Sequence, residues 1–430
     1  MSVNKSNPRI KAIEEITSIL NGDNHKSYNN EDAFYRSLIS ETMRRFGEIN
    51  FYLKKYIKKP LKENQKHVKA NLIIGAAQIL YMRVPNYAAV NDSAKIAKNK
   101  SPHHVKFVNA VLRQLSRDME NNKLKELSPI KNIPDVIINK WKDELSTDQL
   151  KKIANQHLLT PPALDISISP REDIKKWKAN LKGEVFGNNN IRLINNYGKI
   201  DNLYGYNDGK WWIQDIAAQI PVKILLSKIK KNANVIDICA APGGKTAQLI
   251  SNNLNVISLE SNSVRAEMLN NNLKRLNLKT NLLVKDANKF KPDNLADAVL
   301  LDAPCSSSGT LRKNPDILWR LTSIEGNYVS RMNSLLKIQS DLLHSASKML
   351  KVRGILVYSV CSLDKDEGVN QIVDFMKKNS RFVIDPINES EIDITKQAIT
   401  KEGFIRTLPY FNSELGGMDG FFIARLIKTN

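Results

Sequence analysis

Asp237-Ile238-Cys239-Ala240-Ala241-Pro242-Gly243-Gly244-Lys245-Thr246 is the stretch on which the fold turns. Residues 235–239 read as a buried strand, Gly243 and Gly244 let the backbone turn sharply and approach a ligand, and Thr246 stands where a helix begins. In a doubly wound sheet a ligand binds beyond the carboxyl ends of the strands, at such a turn. Outward from this point, strand-like runs at 256–260, 281–285, 298–301, 354–359 and 421–426 are interleaved with amphipathic segments such as 266–276 and 335–350. Strands separated by helical stretches predict βαβ units, a parallel sheet and a Rossmann-like α/β domain over 211–430.

Three acids close successive strands after the glycine turn: Glu260, Asp286 and Asp302. Glu260 suits ribose hydroxyls, and Asp286 an adenine amino group. The turn is not GxGxxG, and the Walker spacing fails because position 239 is cysteine where a P-loop needs glycine. Two further cysteines, Cys305 and Cys361, each follow an apolar, strand-like run and are each followed by serine. Two thiols have no evident role in hydride transfer, so the cofactor is read as S-adenosylmethionine rather than NAD. Cys239, inside the end of the first strand, reads as a small buried hydrophobe.

Residues 8–125 read as helical. Leu72, Ile73, Ala76, Ile79 and Leu80 form the stripe of a core-facing helix, and Pro85 breaks it before helix resumes at 90–97 and again at 105–115. From about 130 the pattern changes. Pro161-Pro162 ends a helix at 150–158, and Leu164-Asp165-Ile166-Ser167-Ile168 alternates as a strand. The expected organisation is multidomain: an all-α bundle over 1–128, a small α+β module with its linker over 129–210, and the α/β domain over 211–430.

The 430 residues carry a formal net charge of +21, which points to a polyanionic partner. Lys54, Lys55, Lys58, Lys59, Lys62, Lys66 and Lys69 face only Glu63 in one stretch. Such a run is equally a solvated face or an RNA track. Three cysteines without CxxC spacing make neither a disulfide framework nor a zinc site. The first residues lack the apolar core of a signal peptide, and no apolar run reaches ~18 residues, so the expected setting is a reducing cytoplasm, without membrane.

A nucleoside-bearing cofactor beside two thiols suggests chemistry on an electrophilic ring, with cytosine in RNA as the ring best served. C5 of a pyrimidine is a poor nucleophile; a thiolate adding at C6 makes it enamine-like, so one hard step becomes easier ones. Asp302, near Cys305, is the candidate to deliver a proton at N3. Lys245 is the candidate to lower a thiol pKa.

Asp237–Thr246, Asp302-Ala303-Pro304-Cys305, Arg312-Lys313-Asn314-Pro315-Asp316, Tyr358–Ser362 and Asp419-Gly420-Phe421-Phe422 resemble, in order, the motifs of the NOL/NOP/Sun-type RNA cytosine-C5 methyltransferases. The resemblance implies Cys361 as nucleophile, Cys305 as the thiol that assists adduct breakdown, and Cys239, Ala240, Ala241, Pro242, Gly243, Gly244 and Lys245 with Glu260, Asp286 and Asp302 as the cofactor pocket. Trp212-Ile213-Gln214-Asp215 resembles the segment that opens this catalytic domain. Ile79-Leu80-Tyr81, Ala88-Ala89-Val90-Asn91 and Val108–Arg113 resemble the NusB fold, a helical RNA-binding domain. The combination is similar to the bacterial small-subunit rRNA methyltransferase B (Sun/Fmu) group. It implies 16S rRNA as substrate, an RRM-like module in 129–210, and a monomer without an obligate protein partner. Val360 stands where the family has threonine, and Gly368 where it often has asparagine.

Three other functions compete. The same chemistry serves tRNA or another rRNA site, a basic assembly factor would need no thiols, and a nicotinamide oxidoreductase would respond to NAD. Arg312 and Lys313 are candidates to hold RNA near the thiols. An unpaired, flipped base is required in any methyltransferase reading, since C5 and C6 must both be reached.

Overall fold

A computed structural model describes residues 7–22, 32–194, 197–322, 327–392 and 396–430. They fall into two compact units, Met1–Leu158 with Asn314–Arg331, and Leu159–Lys313 with Met332–Asn430.

The first unit is helical. Lys66–Tyr81 lies at its centre, flanked by Pro8–Asn21, Ala33–Arg44, Phe46–Tyr56, Asn86–Lys100 and Val105–Glu120. The apolar stripe predicts one buried face for Lys66–Tyr81, yet Val68 and every residue from Ala70 to Ile79 are buried, so the helix is enclosed on all sides. Asn71 and Gln78 are tolerated there because their amides bond Ser93 and Ile74 carbonyls, at 3.0 and 3.1 Å. The unit continues beyond 128 through Asp135–Trp141 and Thr147–Leu158. Residues 314–331 also belong to it: Trp319 packs against Phe46 with ring centroids 4.8 Å apart and the rings tilted by 52°, and Arg320 pairs with Asp316 and with buried Glu15.

The second unit holds two sheets. The first is antiparallel, from β1 (Leu164–Ile168), β2 (Glu184–Val185), β3 (Asn190–Leu193) and β4 (Trp211–Ile213), in the order β2-β3-β1-β4. It packs on Ile174–Leu181 through Ile166, Ile191, Trp177 and fully buried Trp211. The second comprises β5 (Asn234–Ile238), β6 (Asn255–Glu260), β7 (Asn281–Val284), β8 (Ala296–Asp302), β9 (Leu350–Val360), β10 (Phe382–Ile384), β11 (Ile405–Thr407) and β12 (Phe421–Lys428). Its order is β10-β12-β9-β8-β5-β6-β7, with β11 paired to β12.

Five of these strands, β9-β8-β5-β6-β7, are parallel as expected. The expectation of a parallel sheet fails at β12, which runs antiparallel between β9 and β10. Burial on both faces made its sequence look like a parallel strand. The discriminating signal lies before it: among the described residues of 385–420 there is no crossover helix, which a parallel connection needs. Among the described residues no helix is long and apolar enough to cross a membrane, and no cluster of metal-ligating side chains occurs.

Candidate active site

The parallel order β9-β8-β5-β6-β7 brings five strand ends to one rim. Cys361 follows β9, Asp302 ends β8 with Cys305 just beyond, Cys239–Lys245 follow β5, Glu260 ends β6, and Asp286 follows β7. All the acids and thiols singled out in the sequence therefore share one edge of the sheet.

The thiols meet because their strands are neighbours in register, with Asp302 opposite Ser359. Cys305 Sγ and Cys361 Sγ are 3.4 Å apart, and Cys361 Sγ lies 3.5 Å from Ser307 Oγ. Cys305 has its thiol raised well above the ordinary value, first by its hydrogen bond to Cys361 and then by burial. The loops cross closely. The Gly309 N–H donates to Cys361 O (3.0 Å) and the Gly420 N–H to Gly309 O (2.8 Å). A Cβ on Gly309 would sit 1.9 Å from Gly420 O, so only glycine fits there.

Asp302 is an acceptor on both oxygens: Lys245 Nζ donates to Oδ2 (2.6 Å) and Ser359 Oγ to Oδ1 (2.9 Å). Lys245, expected to act on a thiol, is thus bound to Asp302; it also faces the Phe421 ring at 5.3 Å.

The turn after β5 fits a nucleoside-bearing ligand. Gly243 adopts φ 105°, capping the helix Gly244–Ser251, and Glu260 is buried with Oε2 making no hydrogen bond and lying 3.7 Å from Arg265 Nη2, which fits an acceptor for ribose hydroxyls. Its Oε1 accepts from the Asn262 N–H at 3.0 Å. Asp286 is half-buried and already accepts from the Asn288 N–H at 2.9 Å, leaving its other oxygen for an amino group. Ala240 and Ala241 point their methyls into the core with Trp212 and Leu269, so they can meet a ligand only through backbone; Pro242 is exposed. Cys239 has a left-handed φ of 61° and a thiol pushed up to about 12, by burial and then by Glu260 and Asp302, which fits an inert thiol. Beneath the turn, Asp237 is fully buried and pushed up to about 7 by that burial, against the Thr246 hydroxyl that donates to it at 2.6 Å.

Arg312 does not face solvent as an RNA-holding residue would, and Lys313 is only partly exposed, its amine engaged with carboxylates. Arg312 is buried at 1% exposure, donating to Met418 O (3.1 Å), Gly416 O (2.6 Å), Asp215 Oδ2 (2.9 Å) and Asp419 Oδ1 (3.1 Å). Lys313 Nζ bridges the same carboxylates at 2.5 and 3.0 Å. Burial opposes ionisation of Asp215, but Lys313, Arg312 and Arg192 outweigh it and hold the carboxyl well below its usual range. Arg192 in turn forms a two-pronged pair with Asp165, both contacts at 2.7 Å, and donates to Gly417 O at 2.6 Å. The knot fixes the loop leading into β12 against the site. Sequence reading missed it, and missed the buried Glu367 with its serine partners; the run of serines after Cys305, where core residues would otherwise continue, was the available signal.

Residues 224–427 match the family of 16S rRNA methyltransferase RsmB/F, and residues 1–117 match the NusB family. The probable ribosomal RNA small subunit methyltransferase B of Synechocystis sp. is 28% identical over 423 residues, covering 92% of this chain and 91% of its own. Ribosomal RNA small subunit methyltransferase B of Shewanella oneidensis is 27% identical over 431 residues, covering 97% and 96%. Among solved structures, NSun6 from Pyrococcus horikoshii, determined with SFG, superposes with a TM-score of 0.57 at 18% identity over 69% of this chain and 98% of its own. That likeness is one of fold.

Proposed function

The chain belongs to the 16S rRNA methyltransferase RsmB/F family, with a NusB-family domain at residues 1–117, and from that premise we propose that it methylates C5 of a cytosine in 16S rRNA through a covalent cysteine adduct. The observation that carries this reading is the pair of thiols 3.4 Å apart on neighbouring strand ends, with Asp302 beside them.

S-adenosylmethionine, the cofactor of this methyltransferase class, supplies an electrophilic methyl group on a sulfonium. Backbone of Cys239–Lys245 with Glu260, Asp286 and Asp302 would hold it. Cys361, its thiol proton released to solvent, bonds through Sγ to C6 of the ring, and the electron pair displaced from the C5–C6 double bond is shared toward N3. Asp302 passes N3 a proton drawn from Lys245, its partner at 2.6 Å. C5, now enamine-like, would take the methyl, the electron pair of the broken methyl–sulfur bond remaining on the sulfur. Once Cys361 is bonded to carbon it no longer accepts from Cys305, so the largest cause of the raised Cys305 pKa disappears. Cys305 then loses its proton to solvent and takes the one on C5. The C6–S bond breaks with its electron pair returning to Cys361, and N3 gives its proton back through Asp302.

Phosphate contacts fall to exposed lysines of the helical unit, among them Lys58, Lys59 and Lys62. The reading implies a cytoplasmic enzyme whose target base is flipped out of any helix.

The test is transfer of radiolabelled methyl from S-adenosylmethionine to unmodified 16S rRNA by wild type, Cys361→Ala and Cys305→Ala. Label on cytosine C5 that vanishes in Cys361→Ala, with a protein–RNA adduct accumulating in Cys305→Ala, supports both thiol roles. Undiminished transfer by Cys361→Ala refutes the nucleophile, and transfer to tRNA instead of 16S rRNA refutes the substrate.

A further inference from the structure

Glu367 takes no part in the chemistry above, yet it is wholly buried between the two cysteine loops. Its Oε1 accepts from the Ser306 N–H (2.8 Å) and Gln339 Nε2 (3.0 Å); its Oε2 accepts from the hydroxyls of Ser306 (2.5 Å) and Ser362 (2.5 Å). Ser306 is the residue after Cys305, and Ser362 the residue after Cys361. One carboxylate therefore grips both thiol-bearing loops, each at the position adjoining its cysteine.

The surroundings brace the grip. Tyr358 Oη, inside β9, donates to the Glu367 carbonyl at 2.6 Å, and Gln339 Nε2 also donates to Pro304 O at 2.9 Å. Ser308 Oγ lies 3.1 Å from both the Ser306 and Ser362 hydroxyls and accepts from the Leu363 N–H at 2.9 Å. No ion pair to Glu367 occurs among the described residues; a carboxylate is kept in such a site only where several donors converge on it. Its contacts are all to the scaffold around the sulfurs and none to the sulfurs themselves.

We propose that Glu367 is a positioning residue that sets the distance between the two thiols by holding the residue after each on a single carboxylate. The geometric claim stands by itself; its catalytic consequence rests on the thiol roles proposed above. The glutamate charge also contributes to raising the Cys305 pKa.

The test separates spacing from activity. Diamide converts two adjacent thiols to one disulfide, taking both hydrogens and becoming a hydrazine, so the rate of Cys305–Cys361 bond formation reports their approach. The full chain is oxidised and mapped by peptide mass, with iodoacetamide alkylation of each thiol as the reference. Glu367→Gln is expected to slow disulfide formation about ten-fold relative to alkylation, and to lower kcat for methyl transfer with KM for the cofactor unchanged. Ser306→Ala/Ser362→Ala removes the two hydroxyl ties to Oε2 from the other side and is expected to behave alike. It also serves if Glu367→Gln does not fold. Folded variants of either kind that form the disulfide at the wild-type rate overturn the proposal, as does a slow Glu367→Gln beside a normal double-serine variant. Should wild type methylate no RNA, the disulfide rates still decide the spacing claim and only the thiol chemistry falls.

Discussion

Replacing Arg312 with methionine tests whether the buried charge knot is structural. Methionine keeps most of the side-chain volume, so no large cavity opens. What is lost is a guanidinium at 1% exposure whose hydrogen bonds include two to backbone carbonyls and two to carboxylates. Removing one member of a buried ion pair costs about 3–5 kcal/mol, because its partners stay buried with less compensation. Here Lys313 still bridges Asp215 and Asp419, at 2.5 and 3.0 Å, which places the cost near the lower end, about 3 kcal/mol. For a unit of this size that corresponds to a fall in Tm of about 6–12 °C. The assay is urea unfolding followed by tryptophan fluorescence, with Trp211 and Trp212 reporting on the second unit, in 0.1 M and 1 M NaCl. A buried knot gives the same loss at both salt concentrations, since screening acts on exposed charges. A loss below about 1 kcal/mol, or one that disappears in high salt, is the signature of a surface arginine and refutes the argument.

Glu260→Gln is expected to weaken S-adenosylmethionine binding by about 10–100-fold, the value of a hydrogen bond to a charged acceptor, with Tm unchanged within a degree or two; calorimetric titration and thermal melting check the two halves. Asp237 has its folded pKa raised to about 7, so its contribution is favourable below the unfolded carboxylate value and is lost as pH rises toward 7; Asp237→Asn should flatten stability against pH between about 4 and 7 in urea titrations. Cys239, pushed up to about 12, should resist iodoacetamide at pH 8 in the native protein and react in urea, as read by peptide mass. Gly309→Ala forces a Cβ to 1.9 Å from Gly420 O, so it should destabilise the chain by about 2 kcal/mol or more and abolish methyl transfer together.

What the sequence displays well is whatever its periodicity encodes. The strands expected at 256–260 and 421–426 match the starts or ends of β6 and β12 to within two residues, and the acids Glu260 and Asp302 fall on one rim because strand ends do. What it hides is direction and partnership. The run from Phe421 gives no hint of its antiparallel course, since burial on both faces is common to both kinds of strand. Arg312 and Lys313 look like surface cations because nothing local announces that Asp215 and Asp419, far away in sequence, will enclose them. Glu367 is hidden for the same reason: its partners Ser306 and Gln339 come from separate segments, and a lone acid in a polar stretch reads as a turn. The enclosure of Lys66–Tyr81 is a subtler case, because one stripe was visible while the packing of five helices around it was not.

The return of residues 314–331 to the helical unit bears on how such a protein is inherited and dissected. A gene fragment ending at Leu158 encodes the front helices without Trp319, which covers Phe46, and without the Arg320 guanidinium that lies on buried Glu15. The front unit is therefore not a cassette that shuffling could move as one contiguous block. The front unit is completed by a segment encoded within the span of the second, and an insertion between Lys313 and Asn314 falls where the chain passes from one unit to the other.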